Sequence, residues 1–290
     1  MTEAPEGTAH GPWREAWQRL RENRAALGAA AIIALVACVA LIGPALSVYP
    51  YDKLDWQNVA VPPHLAASHW LGTDRLGRDL YVRTLYGVRI SLGIGVVATL
   101  VSVLVGVAWG ATAGYVGGRT DALMMRFVDV LASLPYLFLV ITLAALFGRG
   151  NPYVLFVGIG AVGWITMARI VRAQALVLKR REFIEAAVAS GASTPHILRC
   201  HVVPNLLGPV IVYAALTLPQ MMLFESFLSF LGLGVQEPLA SLGSLISDGA
   251  REMETASWML LVPAGALVLL LVGFNLLGDG LRDALDVRER

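Results

Sequence analysis

Six long runs of apolar residues, separated by shorter polar segments, form the main pattern along the chain. A helix needs roughly 20 apolar residues to cross the bilayer core. The runs of this length cover about 25–48, 90–115, 127–147, 153–171, 206–231 and 257–278. The fourth is the weakest, because glycines dilute it and Arg169 and Arg172 end it. The pattern predicts an all-α polytopic membrane protein with about six transmembrane helices.

The same pattern divides the chain into successive segments. We expect residues 1–24 to form a cytoplasmic N-terminal segment, 25–48 the first transmembrane helix and 49–89 an external loop. Residues 90–278 then form a core domain with five transmembrane helices, which contains a polar cytoplasmic loop at 172–205, and 279–290 form a cytoplasmic tail. The first run is too long for the apolar region of a signal peptide, so we expect it to be retained.

The Lys and Arg residues indicate the orientation of the spans. If the N-terminus is cytoplasmic, 15 of the 22 basic residues lie on the inner side, which places both termini inside. The segment 69–91 fits this arrangement least, because it brings four arginines to the outer side. Either these side chains reach the membrane surface, or they pair with acids such as Asp74 and Asp79.

A short amphipathic helix is predicted before the first span. Pro12 suits the first helical position, and Trp13, Ala16, Trp17 and Leu20 fall on one face. Polar residues, arginines among them, occupy the other faces, which is typical of a helix that lies in the membrane interface. The alternative is a frayed cytoplasmic tail.

Composition excludes several classes of protein. Of the residues, 57% are apolar and 15% are charged, with a mean hydropathy of +0.66, whereas soluble domains carry about 25% charged residues. A soluble enzyme, a disordered chain and a secreted disulfide scaffold are therefore excluded. The net charge of +1 gives no basic footprint for nucleic acid. Cys38 and Cys200 lie in unlike surroundings, so neither a disulfide nor a metal site is expected.

The second span carries a stripe of glycines at intervals of four residues. Its members are Gly106, Gly110, Gly114 and Gly118. In lipid, small residues at this spacing allow helix backbones to approach closely. We therefore expect this span to be central in the bundle or to face a partner subunit. Prolines within spans, at 135, 209, 219 and 263, mark expected kinks.

Few ionisable residues fall inside the spans. Arg126 and Asp129 are three residues apart, and we expect a structural ion pair between them. Glu225 lies within an apolar run, where a charge is costly unless it faces protein, water or a substrate path. Glu225 is thus either a buried carboxylate bonded to a neighbouring helix or a residue of the transport pathway.

The polar loop at 172–205 carries the clearest structural signals. Residues 182–190 favour a helix that ends at Gly191 in the left-handed conformation. Thr194, followed by a proline, suits the N-cap of a second helix, which should end near Val203 because Pro204 follows it. A helix-turn-helix that protrudes between two spans and lacks a basic face is suited to docking another protein. The alternative is a stabilised loop between two spans that binds no partner.

The loop resembles the EAA loop of the permease subunits of ABC importers. The matching positions are Glu185, Ala186, Ala187, Gly191 and Pro204. Five further segments are similar to the dipeptide, oligopeptide and nickel branch of that family, and specifically to the second, C-type, permease subunit: HWLGTDRLGRD (69–79), GVRISL (87–92), RFVDVLASLPYL (126–137), ESFLSFLGLG (225–234) and NLLGDGLRDALD (275–286). One departure is the segment 240–243, which reads Ala-Ser-Leu-Gly where the family commonly has Pro-Ser-Trp-Gly.

This resemblance implies a multi-pass permease of the bacterial cytoplasmic (inner) membrane. A homologous second permease would complete the pore, two ABC ATPase subunits would bind on the inner side, and an extracytoplasmic binding protein would deliver the substrate. ATP and Mg would bind to the partner subunits, so this chain is expected to be no enzyme and to hold no cofactor. The EAA residues would transmit motion from the ATPases to the spans.

The cargo implied by the resemblance is a short peptide. Nickel, glutathione or another small solute is the alternative within the same family branch. A channel or ion-coupled carrier that works without ATP is a further alternative, but it would be expected to have charges or broken helices at matching positions of two repeats, and no clear repeat is present. A membrane scaffold that transports nothing would leave the loop pattern unexplained.

Overall fold

A computed structural model describes residues 12–64, 69–135, 138, 141, 142, 146 and 152–285. The helices are α1 (Pro12–Glu22), α2 (Arg24–Leu46), α3 (Leu80–Val116), α4 (Gly118–Ser133), α5 (Pro152–Leu178), α6 (Glu182–Ala189), α7 (Thr194–Ile197), α8 (Val203–Phe230), α9 (Leu242–Arg251) and α10 (Trp258–Leu285). A π-helical turn at Leu198–Val202 joins α7 to α8. An isolated bridge between Thr73 and Asp79 is the only β-type pairing within these ranges.

Five helical runs among the described residues are long and apolar enough to cross a membrane. They are Arg24–Leu46, Leu80–Val116, Gly158–Leu178, Thr194–Phe230 and Trp258–Leu285. The predicted all-α, multi-span fold is thus confirmed. The predicted third span at 127–147 begins within α4, and most of it beyond Leu134 lies outside the described residues.

Two spans are longer than the apolar runs that predicted them. α3 begins at Leu80 rather than near residue 90, because the Asp79 carboxylate caps it by accepting a hydrogen bond of 2.9 Å from the backbone N–H of Val82. α5 continues to Leu178 rather than ending at 171. Arg169 and Arg172 lie within α5 and do not end it, since both are paired with acids of α4.

The predicted N-terminal helix is present as α1, so residues 12–22 are not a frayed tail. Ala16 and Leu20 are buried, and Leu20 packs with Ala26 and with Ala284 of α10. Trp17 is half-exposed, and the guanidinium of Arg21 lies 5.1 Å from its ring centre. Part of the apolar face therefore packs on protein, whereas about half of the Trp17 side chain stays uncovered. The side chain of Trp13 lies outside the described part of the chain.

Three of the four predicted stripe glycines hold α3 against α5, which is the most extensive helix–helix contact in the described fold. A Cβ added at Gly106 would lie 2.6 Å from the Cβ of Met167, and one at Gly110 would lie 2.4 Å from the carbonyl oxygen of Ala168. A Cβ at Gly114 would lie 2.6 Å from the carbonyl oxygen of Arg172. These distances explain why the stripe excludes larger residues, and they place α3 centrally, as predicted.

The prediction for Gly118 was wrong. Gly118 begins α4 rather than extending α3, with φ at +58°, and a Cβ there would meet nothing within 4 Å. Gly117, with φ at +74°, already ends α3. The spacing of four continues in the sequence past the end of the helix, so the fourth glycine serves a turn and not the packing stripe.

The prolines within spans leave the helices continuous. α8 runs through Pro209 and Pro219, and α10 runs through Pro263. Pro135 follows the end of α4 and therefore lies in no described helix. The kinks expected at the three internal prolines stay a prediction.

A further internal proline, Pro44, lies within α2 and was not identified from the sequence. Proline has no backbone N–H, so the carbonyl of Ala40, four residues earlier, loses its helical donor. The side chain of Arg89 on α3 donates to that carbonyl and to the carbonyl of Leu41. This contact explains how one arginine of the 69–91 segment is accommodated.

Candidate functional site

The polar loop between α5 and α8 begins with α6, which a glycine cap ends. Gly191 has φ at +81°, the left-handed conformation predicted for it. Its N–H donates to the carbonyl of Val188 at 2.9 Å, and the N–H of Ala192 donates to that of Ala187 at 3.1 Å. This pair of bonds forms a Schellman motif, which satisfies carbonyls that the end of the helix leaves without donors.

The second helix of the loop, α7, begins one residue earlier than predicted. Ser193, with φ at −72° and ψ at 152°, is the N-cap, and Thr194 is the first helical residue. The backbone carbonyl of Ser193 accepts the N–H of Ile197 at 3.0 Å, while its side chain makes no capping bond. The proline lies in the first turn, where its missing N–H removes no helical bond.

The prediction that this helix ends near Val203 was wrong. The π-turn at Leu198–Val202 carries it directly into α8, so that Thr194–Phe230 is one helical run of 37 residues. Pro204 lies in the first turn of α8. The π-helical turn changes the pattern of backbone hydrogen bonds near this proline, which has no N–H to donate. The side chain of Asn205 donates to the carbonyl of His201 at 2.6 Å. The loop is therefore continuous with a span.

Apolar side chains fasten the loop to the ends of α3 and α5. Ile184 of α6 and Ile197 of α7 are almost fully buried. They belong to one core cluster with Tyr115, Met167, Val171, Ala175, Val202 and Leu206. Burial of an aliphatic side chain of this size stabilises by roughly 1.5–3 kcal/mol. The loop and the two helix ends therefore form one packed unit.

The opposite surface of α6 is left uncovered. Glu185 and Ala186 are exposed, and the carboxylate of Glu185 has no ion pair within the described residues. Phe183 and Val188 are 43% and 54% exposed. Large apolar side chains beside an unpaired charge are typical of a surface that another protein covers.

The other two predicted loop positions are placed differently. Ala187 is half-buried and packs against the core cluster that holds the loop. Pro204 is exposed on the first turn of α8. The five predicted positions therefore divide between a covered side, a cap and an open face.

The ion pairs near the loop differ from the one predicted. Asp129 pairs with Arg169 of α5, at 2.9 Å, and not with Arg126, because a guanidinium on the facing helix lies within direct reach. Asp121 of α4 accepts two bonds from Arg172, at 2.5 and 2.6 Å. The bidentate pair joins α4 to the end of α5, and no local pattern marks it because 51 residues separate the partners.

Glu225 lies towards the opposite end of α8, which we call the outer end, and it is 0% exposed. Its Oε2 accepts a hydrogen bond of 2.7 Å from Ser91 of α3, and its Oε1 accepts one of 2.7 Å from Ser229. Ser91 also accepts the backbone N–H of Leu242, at the start of α9. A carboxylate beside a helix N-terminus is favourably placed. These contacts support the first interpretation of Glu225, a buried group bonded to a neighbouring helix.

Residues 240–243, where this chain departs from the family that it resembles, lie at the start of α9. Ser241 and Ser244 form a capping box, and Leu242 is fully buried. A Cβ at Gly243 would lie 2.4 Å from the Cα of Ser226, so the glycine permits the contact of α9 with α8. Leucine thus fills the core at the position where the family commonly has tryptophan.

A network of ion pairs at the outer end holds two of the four arginines of the 69–91 segment. Arg78 binds Asp74 at 2.6 Å and Glu237 at 2.9 Å, and the Nε of Arg83 lies 3.4 Å from Asp74. Pairing with Asp74 is thus confirmed, whereas Asp79 instead faces His69, at 2.8 Å. We call the region formed by this network and the Glu225 contacts the outer junction. Glu237 lies 159 residues from Arg78, so the sequence offered no signal for this contact.

Comparison with known proteins places these features in a family. Residues 106–290 match the family described as "Binding-protein-dependent transport system inner membrane component". Residues 11–63 match the "N-terminal TM domain of oligopeptide transport permease C".

Similar proteins extend over almost the whole chain. The oligopeptide transport system permease protein OppC of Escherichia coli (strain K12) is 52% identical over 96% of this chain and 92% of its own length. OppC of Haemophilus influenzae is 48% identical over 96% and 89%. The dipeptide transport system permease protein DppC of Bacillus subtilis (strain 168) is 45% identical over 96% and 86%.

A solved structure shares the fold. One chain of the inward-facing MetNI methionine ABC transporter superposes with a TM-score of 0.56 at 20% identity, over 71% of this chain and 96% of that one. A second crystal form of the same transporter gives a TM-score of 0.57 at 18% identity. At this level of identity the likeness concerns the fold alone.

Proposed function

The chain belongs to the family of binding-protein-dependent transport inner membrane components, as a C-type permease of the inner membrane, and we propose that it forms half of a pore that imports short peptides. The family consists of transport permeases and not of enzymes. The relatives named for oligopeptide and dipeptide transport support peptides as the cargo. We propose that a homologous permease supplies the other half of the pore.

The observation that carries the mechanism is the loop of α6 and α7, which is fastened on one side and open on the other. One of two ABC ATPase subunits would dock on the open face of α6, around Glu185 and Ala186, and the two ATPases would bind the ATP and Mg. Because Ile184 and Ile197 are buried against α3 and α5, a displacement of α6 moves these helices with it. The continuous run from α7 into α8 moves a third helix. An extracytoplasmic binding protein would deliver the peptide to the outer side.

We propose that the loop faces the cytoplasm and that α1 lies in the inner membrane interface, with Trp17 toward the lipid. Cys200 tests the orientation, because it is exposed within the loop and the chain has only one other cysteine, Cys38. In a Cys38→Ser variant, a membrane-impermeant maleimide should label Cys200 in inverted vesicles and not in intact cells. Labelling in intact cells would reverse the assignment.

Reconstituted transport tests the function directly. The chain, the homologous permease and the ATPases in proteoliposomes should accumulate a labelled tripeptide only with ATP and the binding protein. Glu185→Arg and Gly191→Val should abolish this uptake and leave membrane insertion intact. Uptake that persists after ATP is depleted, with the ion gradients held, would identify a carrier instead. Uptake of nickel or glutathione in place of the peptide would support the role as an importer and change only the assigned cargo.

A further inference from the structure

A cavity of about 260 Å³ opens at the outer end, between the end of α2 and the start of α3. Its lining includes Leu46, Val48, Tyr49, Trp70, Asp79 and Tyr81. It lies beside α2, most of whose residues are exposed. No step of the proposed transport mechanism uses it.

One acidic side chain lines this cavity. Asp79 is the single charged residue of the described lining. Its carboxylate accepts the N–H of Val82 at 2.9 Å and faces Nδ1 of His69 at 2.8 Å. A carboxylate has about four acceptor sites, so these two contacts leave capacity for further donors. The cavity is thus suited to a cation with N–H groups.

Aromatic rings stand around this carboxylate. The ring centres of Trp70 and Tyr81 are 5.7 Å apart with their planes inclined at 56°, so the two rings form adjoining walls. Tyr49 lies against His69, with ring centres 4.4 Å apart. The faces of tryptophan and tyrosine rings attract cations, and such cages are a recurring way to bind ammonium groups. Carboxylate and rings together therefore favour an ammonium ligand.

The surroundings of the cavity indicate that the ammonium belongs to a lipid. The cavity lies at the end of a helix long enough to span the membrane, which places it at the level of the headgroups. The exposed side of α2 leading to it is apolar, with Leu41, Ile42 and Leu46 each more than half exposed. An acyl chain has a surface to lie along there, whereas a free amine gains nothing from it.

We propose that this cavity binds the headgroup of a phospholipid with a primary ammonium group, such as phosphatidylethanolamine. The ammonium donates to Asp79 and faces the rings of Tyr49, Trp70 and Tyr81, and the acyl chains follow α2. A primary ammonium is favoured over a trimethylammonium because only the former has N–H groups for the unused acceptor sites of the carboxylate.

Native mass spectrometry of the assembled complex tests this proposal. The complex is delipidated and then titrated separately with phosphatidylethanolamine, phosphatidylcholine and phosphatidylglycerol. Asp79→Asn removes the charge and retains an N-cap residue for α3, so the helix should survive. Trp70→Leu removes one wall. The matched control is Trp56→Leu, because Trp56 is exposed in the same external segment and does not line the cavity.

We expect the ethanolamine lipid to be retained most strongly, with an affinity about tenfold lower in Asp79→Asn and in Trp70→Leu and unchanged in Trp56→Leu. Gel filtration of each variant shows whether the complex remains assembled. Equal retention of the three lipids would overturn the proposal and leave Trp70 as a member of an interfacial aromatic belt only. Unchanged retention in Asp79→Asn, with the complex intact, would also overturn it.

Discussion

The loop of α6 and α7 and the outer junction are held in place by opposite means. Ile184 and Ile197 fix the loop through apolar burial, and its polar groups are mostly backbone groups bonded locally. Buried charges and hydroxyls fix the outer junction, in which Asp74, Arg78 and Glu225 bond across elements far apart in sequence. Apolar contacts have no required direction, whereas ion pairs and hydrogen bonds depend on geometry. The loop is thus suited to moving as a packed body, and the outer junction to holding one arrangement.

Asp74→Ala should have the largest effect on stability. It removes one of the two acids that bind Arg78 and the acid that faces the buried Arg83, which costs about 4 kcal/mol in the free energy of unfolding. Thermal unfolding in detergent measures the loss. Asp52→Ala is the control, since Asp52 is an exposed acid in the same segment between α2 and α3. A change no larger than that of the control would show that the outer junction does not depend on this network.

Ile197→Ala should have the next largest effect, about 3 kcal/mol, because it leaves a cavity where the loop meets α3 and α5. Val188→Ala is the matched control on the open face and should leave unfolding unchanged. Val188→Ala should instead weaken binding of the ATPases. The comparison between the two regions fails if Val188→Ala destabilises the fold as much as Ile197→Ala does.

Glu225→Gln should cost about 2 kcal/mol, since the hydroxyls of Ser91 and Ser229 then lose a charged acceptor. If Glu225 is structural, uptake per assembled complex should remain close to that of the wild type. Uptake in proteoliposomes, normalised to assembled complex, measures this. Lost uptake with unchanged unfolding would instead assign Glu225 to the transport pathway.

Gly191→Ala should have the smallest effect, about 1 kcal/mol, because alanine is strained at φ of +81° while the space around it is open. Gly208→Ala is the informative control. Gly208 lies within α8 and a Cβ there meets nothing within 4 Å, so alanine should be stabilising. Chemical unfolding of the two variants should thus give opposite signs, and equal signs would contradict the assigned cap.

Local signals in the sequence predicted the local features of the molecule. The apolar runs gave the spans, the spacing of Gly106, Gly110 and Gly114 gave the packing face of α3, and Gly191 gave the cap. Each of these depends on residues within a few turns of one another. The errors at Thr194 and Gly118 are errors of register at the ends of helices, where single-residue signals are least informative.

Contacts between distant parts of the chain could not be predicted in this way. The partner of Arg78 at Glu237 and the partner of Asp121 at Arg172 are set by how helices cross, and nothing near either residue marks the other. The continuation of α7 into α8 also depends on packing. Pro204 disfavours a helix locally, but burial of Val202 and Leu206 in the loop core outweighs that preference.

The central claim is that the open face of α6 joins this permease to its ATPases, and co-purification tests it most directly. The complex is isolated in mild detergent through a tag on this chain, from cells that carry the wild type, Glu185→Arg or Glu254→Arg. Glu254 is an exposed acid near the outer end, so its variant reproduces the change of charge away from the loop. We predict that both the wild type and Glu254→Arg retain the ATPases and the second permease, while Glu185→Arg retains the second permease alone. ATPases bound equally to all three would contradict the account.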